Sequence, residues 1–89
     1  MWYFYTLESL KNGSLYKGLT DNLKRRIEDE HNKKRGGVYT GKHGPYKLIY
    51  YEAYLEKPDA VKAEKFFKTG YGREIIKNKL ENYFKKSNW

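Results

Sequence analysis

Apolar and polar positions change their rhythm several times along this chain, and each change marks an element. Trp2 to Leu7 is almost unbroken apolar and aromatic, the pattern of a strand buried on both faces. Lys11-Asn12-Gly13-Ser14 interrupts it, and Asn-Gly accepts the two positive φ angles of a tight hairpin turn. Ser14 to Leu19 then returns as a second strand. With Asn12-Gly13 at the tip, Leu10 faces Leu15, Leu7 faces Gly18 and Tyr5 faces Thr20. Opposed residues share a face and the period is two, so Tyr5, Leu7, Tyr16 and Gly18 point to one side.

A helical period follows. Leu19, Leu23 and Ile27 form a thin apolar stripe, and Thr20 or Asp21 is the expected cap of a helix running to about Asn32. Residues 32–44, "NKKRGGVYTGKHG", hold four Gly and four Lys or Arg and read as an irregular basic loop. Pro45 opens a third strand, Tyr46 to Glu52, apolar enough on both sides to be expected in the centre of a sheet. Pro58 suits the first turn of a second helix, with Asp59 at its positive end. That helix should run to about Thr69 and be broken by Gly70 and Gly72. Ile76, Leu80, Tyr83 and Phe84 give a last helix core spacing, from Arg73 to about Lys85. The expected architecture is one small α+β domain over residues 1–86: a hairpin, a helix, a third strand and two helices packed on the sheet. Ser87, Asn88 and Trp89 are expected to be a frayed tail.

Composition narrows the partners. The 89 residues include 19 Lys and Arg against 11 Asp and Glu, a net charge of +8. So basic a surface gathers polyanions, of which nucleic acid is the commonest. Ten Tyr, four Phe and two Trp exceed what a small core needs, and such rings can stack on bases or donate to phosphates. There is no cysteine, so disulfides and thiolate sites are excluded. No apolar run approaches membrane-spanning length and no signal peptide is recognisable, which reads as a soluble, cytoplasmic protein without a membrane partner.

Some residues break the packing pattern. Glu64 lies four residues after Ala60 and three before Phe67, inside a stripe that also includes Ala63, with Val61 at its margin. A buried carboxylate must be protonated, paired with a Lys or Arg, or bound to a cation. Arg26 lies one turn from both Leu23 and Glu30, at the edge of the inward face; its anion is either Glu30 or a ligand. Tyr5 and Tyr16 suit a core equally well, and His31 could simply stabilise a helix end. Together, however, these groups comprise what phosphodiester hydrolysis needs: a proton carrier, a cation for developing charge and a metal ligand. Other chemistries lack their motifs. Gly36-Gly37 is followed by no Gly-Lys-Ser, two histidines make no zinc spacing, and no Ser-centred nucleophile elbow occurs.

The ordered series Tyr, Tyr-x-Gly, Leu-x-x-Arg, Glu-His-Asn, Tyr-Glu and Ala-x-x-Glu-Lys resembles the GIY-YIG nuclease family. It is carried by "WYFYTLE", "GSLYKGLTDNLKRRIEDEHN", "GPYKLIYYEAY" and "DAVKAEKFFK". The likeness is to the short, stand-alone form, similar to the N-terminal nuclease domain of the bacterial excinuclease. It implies a three-stranded antiparallel sheet flanked by about three helices, and an endonuclease acting on DNA, on branched substrates or in repair, with Mg²⁺ or Mn²⁺ and no small-molecule cofactor. By the same resemblance Tyr5 belongs to the first motif, Tyr16 and Gly18 to the second, Arg26 is the helix arginine and His31 the polar residue after it. Glu64 is then the metal-binding glutamate, and Asn78 is a candidate for the family's late asparagine. Lys17, Lys33, Lys34, Arg35 and Lys42 are the expected nucleic-acid contacts. The first motif lacks its Gly, with Tyr3 and Phe4 there, and Lys17 replaces the Ile of the second. A non-catalytic nucleic-acid-binding module on the same fold is the alternative, separable by metal-dependent cleavage.

Overall fold

The computed structural model describes residues 1–32 and 45–87, with side chains described for 1–28 and 45–86. The unbroken apolar run becomes β1 (Trp2–Ser9), in which every side chain from Phe4 to Leu7 is buried. It is the central strand. β2 (Leu15–Thr20) and β3 (Tyr46–Tyr54) flank it, both antiparallel, in the order β2-β1-β3. The third strand is therefore an edge and not the centre, because only β1 is covered on both faces along its length.

Alternation along β1 sorts the helices onto two sides. Phe4 joins Ala63, Phe67 and Ile76 in one cluster, and its ring stacks on Phe67 with centroids 4.9 Å apart. Tyr5 and Leu7 instead join Tyr46, with Tyr16, Leu23 and Leu48 packed around them. One sheet face is thus covered by α1 (Leu23–Asn32) and the other by α2 (Lys57–Phe67) and α3 (Gly70–Lys79). A short α4 (Glu81–Ser87) completes the described chain. Fully burying side chains such as Phe4 and Ile76 contributes about 1.5–3 kcal/mol each. Among the described residues no helix is long and apolar enough to cross a membrane.

The hairpin pairs two residues away from the expected register. Tyr5 lies opposite Gly18 and Leu7 opposite Tyr16, with Ser9 and Ser14 closing a loop over residues 10–13. The cause is Ser9. Its buried hydroxyl accepts from the backbone N–H groups of Lys11 and Asn12, while Gly13 takes φ 78° and returns its N–H to the Ser9 carbonyl. A shift of two preserves the faces, so Tyr5, Leu7, Tyr16 and Gly18 still share one side.

β3 contains an irregularity that the alternation rule did not anticipate. Thr6 pairs with Tyr50 but Leu7 pairs with Leu48, leaving Ile49 as an extra residue. Tyr46, Leu48, Tyr50 and Tyr54 are all even-numbered and would share one face of a regular strand. Across the bulge they divide: Tyr46 and Leu48 pack beneath α1, Tyr50 and Tyr54 beneath α2. On the α2 side, the hydroxyls of Tyr50 and Tyr54 both donate to the Glu52 carboxylate. Burial first, and then that carboxylate, raises both phenols, Tyr54 to about 12.

Several helix boundaries differ from expectation: α2 ends at Phe67 rather than about Thr69, and α3 starts at Gly70 rather than Arg73. Asn22 caps α1, its Oδ1 accepting from the Arg25 N–H at 3.0 Å, while the Thr20 hydroxyl accepts from the Asn22 N–H. The expected single last helix is two, meeting at Leu80 (φ −109°, ψ 28°), so the described residues contain four helices. Gly70 and Gly72 break nothing. Thr69 caps α3 by accepting from Gly72, and its own hydroxyl donates to the Phe66 carbonyl at the end of α2. Gly72 is required because the two helices touch there: a Cβ would lie 2.1 Å from the Phe66 carbonyl oxygen.

Ser87 is the last residue of α4, and residues 88 and 89 lie outside the described residues. The α2–α3 joint yields the first prediction. Gly72→Ala meets backbone that cannot swing aside and should cost about 1–3 kcal/mol or more. Gly70→Ala meets nothing within 4 Å and should gain about 0.4–1 kcal/mol through the unfolded state. Urea unfolding of both variants checks the contrast.

Candidate active site

The face beneath α1 gathers groups that sequence spacing could only align. Tyr5 is 1% exposed, held at the centre of the sheet by its neighbours on both strands. Tyr16 stands on edge strand β2, its ring 6.4 Å from that of Tyr5. Arg26 lies in the second turn of α1, above both. Its Nε donates to the Tyr5 hydroxyl at 2.9 Å and its Nη2 to the Tyr16 hydroxyl at 3.4 Å. One guanidinium therefore joins two strands to the helix, and it stays partly open to solvent.

Gly18 makes this arrangement possible. A Cβ at that position would lie 2.5 Å from the Tyr5 hydroxyl oxygen and 2.8 Å from Cζ. The ring of Tyr5 therefore occupies the space a side chain on β2 would fill, and only glycine leaves that space. Tyr46 adds a third buried phenol, 2% exposed, with its ring 6.0 Å from Tyr16. Sequence reading missed Tyr46 because a strand without the bulge would not bring it to this side.

Glu64 approaches from the other direction. It projects from α2, beside the buried stripe of Ala60, Ala63 and Phe67, with Val61 half-buried at the margin as expected. Its side chain is 21% exposed, and Lys68, one turn on, pairs with it at 3.2 Å. This is an edge position rather than a buried ion pair, and a lysine 57% exposed is easily displaced. Helix α2 packs against β2 as well as β1, with Leu19 of β2 resting on its cluster. Arg26, bonded to Tyr16 of β2, and the helix that carries Glu64 thus lie on opposite faces of the sheet, both in contact with β2.

Among the described residues no three His, Cys, Asp or Glu side chains cluster into a protein-only metal cage. A single accessible carboxylate fits Mg²⁺ in its usual mode, which takes one or two carboxylates and fills the remaining positions with waters and substrate oxygens. Glu64 is the residue that would hold it.

The other expected residues fall as follows. Lys17 lies on β2, facing α2 and α3, partly buried. His31 is in the last turn of α1, where only the backbone is described, and Glu30 likewise. Lys33, Lys34, Arg35 and Lys42 lie outside the described residues. Asn78 is exposed on α3.

Comparison with known proteins places these motifs. The family model for the GIY-YIG catalytic domain matches residues 1–88. A UPF0213 protein of Lacticaseibacillus paracasei is 42% identical over 77 residues, covering 84% of each chain. A UPF0213 protein of Clostridium perfringens is 38% identical over 94 aligned residues, covering 99% of each. The solution NMR structure of a UPF0213 protein from Bacillus halodurans shares the fold with a TM-score of 0.51 and 33% identity, covering 85% of this chain and 82% of that one.

The Tyr5–Gly18 contact gives the second prediction. Gly18→Ala should push the Tyr5 ring off its position, costing about 1–3 kcal/mol. The Gly18→Ala, Tyr5→Phe double variant removes the hydroxyl that clashes and should recover part of the loss. Chemical unfolding of the two single variants and the double variant measures the coupling.

Proposed function

The chain belongs to the GIY-YIG catalytic-domain family, a nuclease-type family whose substrate is nucleic acid, and from that premise we propose that it is a Mg²⁺-dependent endonuclease hydrolysing phosphodiester bonds of DNA. The observation that carries the proposal is the Arg26 guanidinium bonded to the hydroxyls of both Tyr5 and Tyr16. A fixed positive charge ringed by two hydroxyls is suited to a phosphate whose negative charge grows as the reaction proceeds.

In this reading a phosphodiester lies along the outer edge of β2. Arg26 faces its non-bridging oxygens, and Tyr5, buried and rigid, holds the guanidinium in place so that no reorganisation is needed as charge develops. The Tyr16 hydroxyl, nearer the strand edge, orients the attacking water, taking a proton from it as it passes its own to solvent. Water adds to phosphorus as the bond to the leaving oxygen breaks, and that oxygen takes up a proton from solvent. Glu64, on the helix against the other side of the strand, would hold Mg²⁺, and the ion bound there would supply a Lewis acid. His31 is proposed to position the phosphate or relay a proton. Lys33, Lys34, Arg35 and Lys42 are proposed to contact the backbone of the nucleic acid.

The test is a nicking assay on duplex, single-stranded and branched DNA with and without Mg²⁺, beside equilibrium binding in chelator. Arg26→Ala should lower single-turnover cleavage by about 10²–10³-fold, the usual value of one donor aimed at developing charge, and weaken binding far less. Equal losses in both would make Arg26 a docking residue.

Glu64→Gln separates the metal role from the structural one. The Glu64–Lys68 pair is partly exposed and worth about 0–1 kcal/mol, so the variant should melt close to wild type. Mg²⁺-dependent nicking should disappear. Nicking at the wild-type rate, with the same dependence on Mg²⁺, would remove Glu64 from the mechanism.

A further inference from the structure

The side of β2 facing α2 and α3 carries a second group of charges that the cleavage site does not use. Lys17 occupies a position between Leu15 and Leu19 on that face, where Leu19 packs into the core cluster. Around it stand Lys68, just past the end of α2, and Arg73 and Lys77 of α3. Together with Leu15 they line a recess of about 420 Å³. The recess is open to solvent and has room for a hydrated phosphate.

Two of these placements, those of Lys17 and Arg73, are unfavourable for the folded chain alone. A lysine on the inward face of a strand is desolvated. Its burial, followed by the charges of Arg73 and Lys68, holds the Lys17 ammonium below the ordinary lysine value. Arg73 is the fourth residue of α3, near the positive end of its dipole, and the first turn ahead of it contains no acidic residue. Lys68 and Lys77 each have a carboxylate nearby, Glu64 at 3.2 Å and Glu74 at 3.8 Å. No carboxylate lies within ion-pair distance of Lys17 or Arg73 among the described residues. The costs at Lys17 and Arg73 converge on one recess. Sequences tolerate such local conflict where a ligand resolves it.

We propose that Lys17, Lys68, Arg73 and Lys77 form a phosphate-docking site for the nucleic-acid backbone flanking the cleaved bond. This rests on the cleavage reading for its choice of ligand. The site adjoins Glu64 through Lys68, and it lies across edge strand β2 from Arg26. A strand running over that edge would place one phosphate at Arg26 and a neighbouring one in the recess. Arginine and lysine at such a site position the substrate without reading its bases, so the contact is independent of sequence. Anion binding here also frees Glu64, because a phosphate competes for Lys68.

The experiment is binding of a short duplex oligonucleotide in chelator, measured across a salt series. The variants are R73Q/K77Q, the charge-retaining R73K, and K85Q/K86Q, which removes the same charge from α4, outside the recess. Each phosphate contact contributes about 0.9 to the slope of log K against log salt on duplex DNA. R73Q/K77Q should therefore flatten the slope by about 0.9–1.8, with R73K and K85Q/K86Q at the wild-type slope and circular dichroism showing all of them folded. Equal flattening by R73Q/K77Q and K85Q/K86Q would overturn the proposal, leaving only diffuse charge. So would an unchanged slope in R73Q/K77Q, or recess-dependent binding to phosphatidylglycerol–phosphatidylcholine vesicles with none to the oligonucleotide. Nicking in Mg²⁺ is scored separately. A wild-type protein that binds through the recess but never nicks would refute the cleavage reading and leave the docking site standing.

Discussion

Opposite Tyr5 in the neighbouring strand there is no room for a side chain, and the rest of the site depends on that vacancy. The Tyr5 ring fills the volume above Gly18, which fixes the height of its hydroxyl relative to the sheet. Arg26 then finds one acceptor at the sheet centre and another on β2, and α1 is held at a single angle by the pair. Any larger residue at Gly18 would tilt the ring and move the acceptor. The helix would lose its anchor, and the guanidinium its fixed position. A backbone choice on an edge strand thereby controls a charge on a helix.

The charge distribution follows from the same sheet. β2 has one side chain row facing α1 and another facing α2 and α3, so consecutive residues serve different purposes. Tyr16 joins the polar cluster, Lys17 the basic recess, and Gly18 leaves space for Tyr5. An edge strand is the natural place for this division, since a ligand can approach both rows only where no further strand covers the edge. Half-buried carboxylates elsewhere on the sheet meet a different end. The Glu52 carboxylate takes two tyrosine hydroxyls, and Glu8 takes that of Tyr83, whose phenol is raised to about 12 by burial first and this bond second. These carboxylates are satisfied within the fold and are poor candidates for chemistry.

Much of this was legible from period and spacing. The α+β class, the hairpin, α1 to Asn32 and the shared face of Tyr5, Tyr16 and Gly18 all follow from local rules. The hairpin register was read two residues off, because the pairing is set by the Ser9 hydroxyl and not by Asn-Gly alone. The faces survived because two is the strand period. What remained illegible depends on contacts between distant segments. Gly72 reads as a helix breaker until the Phe66 carbonyl is seen beside it. Nothing in the spacing of Lys68, Arg73 and Lys77 shows that Lys17 lies among them. Glu64 was recognised as anomalous, but its place at the rim, beside Lys68, required the packing of α2.

The extra residue in β3 makes that strand sensitive to length in a way its neighbours are not. Upstream of Ile49 the chain is read in one phase and downstream in the opposite phase, so the two halves act like gears joined by a half-tooth offset. Losing a single residue there would bring them into step. Either Tyr46 and Leu48 would then leave the layer under α1, or the Tyr50–Glu52–Tyr54 clasp would be turned away from α2. Neither layer can spare its aromatic residues. Among relatives of this chain, insertions and deletions should therefore avoid the stretch from Tyr46 to Tyr54, and where one does occur it should be matched by a compensating change within the same strand.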